Sequence, residues 1–457
     1  MITDIGREFR GALLGDQRRG ARLERIGARL ALDPSQSFPE AMASEGQLEA
    51  FYRFLNSDDV SFAGILRPHA MMTAERCDDR DDVLILHDTT SLEFTGAREG
   101  LGRLQTSARN GFFLHASLAV TAGREPLGVL AAETWVRKRA TRKSRNQRHR
   151  RRDPNRESLR WARGILAAEQ LLSHPRRGVH VMDREGDNYD LFACLQSESV
   201  RHIVRLAHNR NLVGTEQKLK ARALAAKAVF RRQVTISRRK TTRTLDRGIH
   251  PDREARTATL AVSAVAVELQ RSNNYAEGSP SSLKVNVVTV RETGCPPGLE
   301  PIVWFLVTTE PVKTRAQLEF IVDAYRARWV IEEFFKALKT GCQFERRQLE
   351  SYRSLSNALA IFLPLAARLL GLRGAARAAP SEPCTALTKR QIALLRRHTT
   401  RFMGAMPTNE EVALALAEFG GHLRSNGPPG WIVLGRALER LLLIEIGWNH
   451  HTDAIDD

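Results

Sequence analysis

Four side chains that could hold a phosphate or a metal recur in the stretch Ile321–Lys339, IVDAYRARWVIEEFFKALK. The stretch has no glycine or proline, and its apolar residues recur at helical spacing, which predicts a helix. Tyr325, Arg328, Glu332 and Lys339 stand at offsets 0, 3, 7 and 14. At about 100° per residue they fall at roughly 0°, −60°, −20° and −40°, inside one narrow stripe. Ala327, Val330, Ile331, Phe334 and Leu338 fall on the opposite side and are expected to face the core. A phenol, a guanidinium, a carboxylate and an ammonium would then line about 21 Å of one helix face. For an arbitrary helix a solvated face laced with ion pairs is the ordinary reading.

Two more carboxylates stand where strands should deliver them. Val83–Leu86 is an apolar run before HDTTSLEF and predicts a buried strand with Asp88 at its C-terminal end. Gly178–Met182 predicts another, ending in Asp183. Phosphoryl transfer at a nucleic-acid backbone must stabilise both the attacking and the leaving oxygen on an anionic centre. Two divalent ions about 4 Å apart do this, and carboxylates are their natural hard ligands. Asp88, Asp183 and Glu332 meet that need. A lone strand-end aspartate is more often a turn former or cap, and Asp183 in MDREGDNYD fits that role as well. Glu333 and Asp187 are near rivals, read as supporting neighbours of the set.

The elements around these residues follow from length, charge and patterning. A chain of 457 residues is long enough for two to four domains and a large core. Its 70 Lys and Arg against 52 Asp and Glu give a net charge of +18, which points to an anionic partner, nucleic acid before all others. No uninterrupted apolar run is long enough to span a bilayer, so no membrane partner is expected. Cys77, Cys194, Cys295, Cys342 and Cys384 are scattered and odd in number, which argues against a disulfide framework and a zinc site. The opening MITDIGREFRG lacks the apolar core of a signal peptide, and a cytoplasmic location is expected.

Residues 1–75 read as short helices over Ile5–Leu14, Arg18–Leu32, Gln47–Leu55 and Phe62–Thr73, basic in the first half through Arg18, Arg19, Arg22 and their neighbours. Such a bundle can grip phosphates and place one helix in a groove. Apolar runs Phe112–Val120 and Leu127–Val136, separated by TAGREP, predict a hairpin. Helices are expected over Ser158–Leu172 and Tyr189–Gln196, with a strand at His202–Leu206. The run 137–152 carries ten basic residues in sixteen and is read either as a solvated linker or, preferred for its charge density, as a non-specific clamp on DNA backbone. Val234–Ser237, Thr257–Leu269 and Lys284–Val290 predict a β-rich insertion over about 208–301. The strand Ile302–Thr308 then leads into the motif helix. Ser354–Leu372 should be a core helix, GLRGAARAAPSEPCTA a linker, and 385–457 a small helical domain.

The spacing Y-x2-R-x3-E-x6-K, with RW-IEEF-KA-KTG around it, resembles the motif of bacterial insertion-sequence DDE transposases, cut-and-paste enzymes with an RNase H-like core. HDTTSLEF and MDREGDNYDL resemble the family's text at its first two carboxylates, and LGDQRRGARL and FYRFLN resemble its end-binding domain. The resemblance runs essentially end to end. It implies an α/β fold: an RNase H-like core over 76–372, interrupted by the β-rich insertion and flanked by a helical DNA-binding domain and a helical C-terminal domain that brings two protomers together. It also implies that Asp88, Asp183 and Glu332 are catalytic and hold two Mg²⁺ or Mn²⁺ ions. Tyr325, Arg328 and Lys339 would hold phosphates of the transposon end, and Arg346 and Arg347 would face DNA. Trp304 would support a base flipped out near the cut. The partners implied are inverted-repeat ends and target DNA, held by a homodimer, with a hairpin intermediate. The rival readings are a catalytically inactive, transposase-derived DNA-binding protein and an RNase H-like nuclease.

Overall fold

A computed structural model describes residues 4–32, 34–42, 44–81, 83–104, 109–137, 156–174, 178–236, 254–272, 278–378, 381–384 and 387–422, with isolated positions between 433 and 445. The basic run from 138 onward and most of the final stretch lie outside the described residues. In chain order the elements are α1 (Gln17–Leu32), α2 (Phe38–Ala41), α3 (Glu45–Asn56), α4 (Phe62–Asp78), β1 (Val83–Phe94), β2 (Gly102–Arg103), β3 (Asn110–Thr121) and β4 (Pro126–Trp135). Next come α5 (Arg160–Glu169), β5 (Val179–Met182), α6 (Tyr189–Ser197), β6 (His202–Arg205), α7 (Leu219–Leu224), β7 (Phe230–Ile236), β8 (Arg256–Gln270), β9 (Ser282–Thr293) and β10 (Val303–Thr308). The rest are α8 (Arg315–Ala327), α9 (Trp329–Lys336), α10 (Tyr352–Ala378), α11 (Lys389–His398) and α12 (Asn409–Phe419). The contacts group into two compact units, one from Met1–Lys143, Arg163–Gly178 and Trp329–Asp457, the other from Ser144–Ala162 and Val179–Arg328.

In the first unit the helix expected over Ile5–Leu14 does not form. Only a 3-10 turn, Arg7–Phe9, is made. Gly11 and Gly15 interrupt the chain at φ 77° and 76°, a backbone conformation that glycine adopts without strain. Helices α3 and α4 start where Ser44 and Ser61 accept hydrogen bonds from the Gln47 and Gly64 amides, at 3.3 and 3.1 Å. The 3-10 turn is tied to the sheet region by a buried network. Glu8 meets His69 Nδ1 at 2.5 Å and Arg76 at 2.9 Å, while Arg76 Nε donates to the Leu127 carbonyl at 2.7 Å.

Strand β3 lies between β1 and β4, all antiparallel. The strand carrying Asp88 is much longer than Val83–Leu86. Its ladder with β3 runs from Val83↔Thr121 to Phe94↔Asn110, because β3 offers partners along the whole length and Leu92 and Phe94 are buried. Asp88 therefore stands in mid-strand, opposite Ala116. Helix α10 continues through the expected linker as far as Ala378. Its segment Tyr352–Gly371 is long and apolar enough to cross a membrane, contrary to the expectation from the sequence, but from Ser354 onward it is buried inside the protein. It is a core helix.

In the second unit six strands run in the order β5-β6-β10-β9-β8-β7. β5 and β6 are parallel, and the other neighbours are antiparallel. The insertion supplies β7, β8 and β9, and Val262 of β8 and Val287, Val288 and Val290 of β9 are fully buried. Helix α8 packs across β5, β6, β8 and β9, and α7 is a helix that the strand-like patterning of the insertion did not announce.

Candidate active site

Asp88 is half-buried on β1, next to the fully buried His87. Its Oδ1 accepts the Thr89 amide at 2.7 Å. Asp183 follows β5 directly and caps the 3-10 turn Arg184–Gly186, with Oδ1 accepting the Glu185 amide at 2.8 Å. The cap occupies one oxygen, and among the described residues Oδ2 has no protein partner. Capping and ligation are thus compatible in one carboxylate. Glu332 is half-buried in the first turn of α9, between the buried Ile331 and Phe334 and beside Glu333.

The rival carboxylates are tied to other partners. Asp187 is buried, 2.5 Å from Arg210 Nη1, and accepts the Ala207 and His208 amides at 2.6 and 2.7 Å. Glu333 pairs with Lys336 at 3.0 Å and Arg373 at 2.9 Å. These two hold the fold locally. Asp88 and Glu332 belong to the first unit and Asp183 to the second. Among the described residues, no three His, Cys, Asp or Glu side chains form a ready metal cluster. The chemistry of the three carboxylates, all half-exposed oxygen donors, suits a hard divalent ion.

The expected single helix over Ile321–Lys339 is three pieces. α8 ends at Ala327, Arg328 turns with its amide on the Tyr325 carbonyl at 3.2 Å, and α9 follows. Ala337–Gly341 is then a π-turn, closed by the Cys342 amide on the Ala337 carbonyl at 2.8 Å. In the first unit, Lys339 Nζ donates to the Ser91 carbonyl of β1 at 2.6 Å and lies 3.7 Å from Glu345. In the second, Tyr325 is buried rather than on an open face, with its ring edge-on to the half-buried Trp304.

Arg205, at the end of β6, was not singled out from the sequence, though a basic residue closing the apolar run HIVR is the available signal. Burial depresses its pKa below the usual guanidinium range, as do the like charges of Arg184 and Arg328, against the opposing effect of its hydrogen bond with Tyr325. Among the described residues neither Arg184 nor Arg205 has a carboxylate partner. Clustered cations of this kind suit a phosphate.

Arg347 does not face DNA. It is buried over the rings of Phe38 and Phe362, and it donates to the carbonyls of Pro34, Gln36 and, at 2.6 Å, Cys342. Carbonyls brought to it from residues 34–36 turn an apparent surface charge into a core strut. Arg346 is exposed. Arg18 and Arg22 are exposed on α1, Arg18 beside Asp16, whereas Arg19 pairs with Asp59 at 2.6 Å and with the Leu14 carbonyl at 2.9 Å.

Two family models match the chain: transposase DNA-binding over residues 5–60, and transposase DDE domain over residues 80–367. The second covers more than half of the chain, which belongs to the DDE-domain transposases. The protein is a DNA transposase, with DNA as its partner, and enzymes of this family generally use divalent metal ions.

Proposed function

We propose that this transposase works by cut and paste. It binds the inverted-repeat ends of its element as a homodimer, cleaves both strands at each end and joins the freed 3′ ends to target DNA. Asp88, Asp183 and Glu332 would hold two Mg²⁺ or Mn²⁺ ions, which when bound stabilise charge on the attacking and leaving oxygens. The observation that carries this reading is that the DDE match encloses all three carboxylates, while the adjacent Asp187 and Glu333 are engaged in internal ion pairs.

Tyr325, Arg328 and Arg205 would grip a phosphate beside the cut, with Lys339 doing so from the π-turn. A water attacks the phosphorus, the P–O3′ bond breaks and a 3′-hydroxyl is released. That hydroxyl then attacks the opposite strand, closing a hairpin that a second water reopens. Trp304 would support the base extruded at the bend.

The test is incubation of the protein with DNA bounded by the inverted repeats flanking its gene, a target plasmid and Mg²⁺. Cut and paste predicts nicked, hairpin and excised products, followed by joined plasmid. End binding without cleavage would favour an inactive DNA-binding derivative, and cleavage without joining would favour a nuclease.

A further inference from the structure

We infer that Leu13 is a specificity-determining contact, a fixed apolar probe for a thymine methyl group in the transposon end. This rests on the end-binding reading above. Leu13 is 81% exposed, although its neighbours Ala12 and Leu14 are buried at 8% and 3%. Lone exposed leucines are ordinary, but this one is held out by the loop itself. Gly11 and Gly15 bracket it at positive φ. The Ala12 amide bonds the Phe9 carbonyl at 3.3 Å. On the other side Arg19 Nη1 grips the Leu14 carbonyl at 2.9 Å while Arg19 Nη2 pairs with Asp59 at 2.6 Å. The Leu14 side chain packs against Gly64 of α4, where an added Cβ would come within 3.0 Å. The loop is pinned on both sides of a side chain that touches solvent.

Its surroundings indicate what Leu13 meets. The loop runs straight into α1, on which Arg18, Arg22 and Arg25 are exposed at i, i+4 and i+7, with Leu23, Ile26 and Leu30 buried on the other face. Arginines on this open face complement a phosphate backbone, and residues at the start of a groove-binding helix are the ones that reach base edges. Phosphate contacts carry no sequence information. An apolar side chain in the major groove does, because the thymine methyl is the apolar feature of the base edges there. The transposase DNA-binding match spans the loop and α1 together.

The experiment measures binding of full-length wild type and Leu13→Ala to the inverted repeat and to scrambled DNA, then repeats it with each thymine of the repeat replaced by deoxyuridine, which lacks only the methyl. Leu13→Ala should weaken binding to the repeat about fivefold to tenfold and leave scrambled-DNA binding, its salt dependence and the melting temperature unchanged. One deoxyuridine position should weaken wild type about threefold to fivefold and leave Leu13→Ala indifferent. Unchanged repeat binding by Leu13→Ala, equal loss on both DNAs, or the lack of any deoxyuridine position coupled to residue 13 would overturn the inference. A wild type with no preference for the repeat would overturn the end-binding reading and this inference with it. A wild-type preference left undiminished in Leu13→Ala would overturn this inference alone.

Discussion

Trp304 meets Tyr325 edge to face, with ring centroids 5.4 Å apart and planes inclined at 65°. The contact joins β10 to α8, so the indole is held by the tyrosine of the motif while staying half-exposed. A fully buried tryptophan would cost roughly 3–5 kcal/mol on truncation to alanine; this one should cost less. If the free part of the ring supports an extruded base, Trp304→Ala should leave first-strand nicking intact. Hairpin formation should fall about 10- to 100-fold, from stacking of roughly 1–3 kcal/mol. A gel separating the products, paired with a melting curve, checks this. Equal loss of nicked and hairpin products would contradict it.

Arg347 and Arg346 are neighbours in sequence with opposite fates. Arg347→Ala removes a buried guanidinium from the carbonyls of Pro34, Gln36 and Cys342. Leaving those acceptors unpaired should destabilise the protein by about 2–4 kcal/mol. Arg346→Ala should leave the melting temperature within about 1 °C and, if the side chain contacts phosphate, make the log–log salt slope of binding shallower by about 1. Thermal melts and salt titrations of both variants separate the two roles.

The Glu8–His69–Arg76 network makes stability fall in acid. Val129 donates its amide to His69 Nε2 at 3.0 Å, so the ring proton sits on Nδ1 and is donated to Glu8. Burial alone would push the Glu8 pKa up, but the hydrogen bonds from His69 and Arg76 and the charge of Arg76 outweigh it and bring it down to about 2. Burial also depresses the His69 pKa, which keeps the ring neutral. A carboxyl with a depressed folded pKa contributes stability above its ordinary value near 4.5, and that contribution is lost as pH falls towards about 2. Glu8→Gln should lower stability at pH 7 by about 3 kcal/mol and flatten the loss between pH 5 and 2. Parallel acid melting curves for wild type and Glu8→Gln would contradict this.

The periodic parts of the chain were legible. α1, α3, β3, β4, α6, β6, β8 and β9 all stand where apolar spacing puts them, because each buries one face against a neighbour. Features set by partners far along the chain were not legible. β1 runs on past Leu86 because β3 pairs with it, and Arg347 is internal because residues 34–36 reach it. Local chemistry misled in two places. The helical spacing of Ile5–Leu14 was overruled by Gly11 and Gly15, and nothing in the periodicity of Ala337–Gly341 distinguishes an i→i+5 turn from an α-helix. The types and spacing of Tyr325, Arg328, Glu332 and Lys339 pointed to the family, but the interruptions of the helix at Arg328 and at the π-turn were not legible in them.

The most direct test of the account is strand cleavage of a labelled transposon end in Mg²⁺ by Asp88→Ala, Asp183→Ala, Glu332→Ala and, as a control on the same helix, Glu333→Ala, each at saturating protein with end binding measured in parallel. The first three should bind the end as wild type does and cut it at no detectable rate. Glu333→Ala, which loses only ion pairs to Lys336 and Arg373, should cut within about tenfold of wild type. Near-normal cleavage by any of the first three, or abolition by Glu333→Ala with its folding intact, would contradict the assignment.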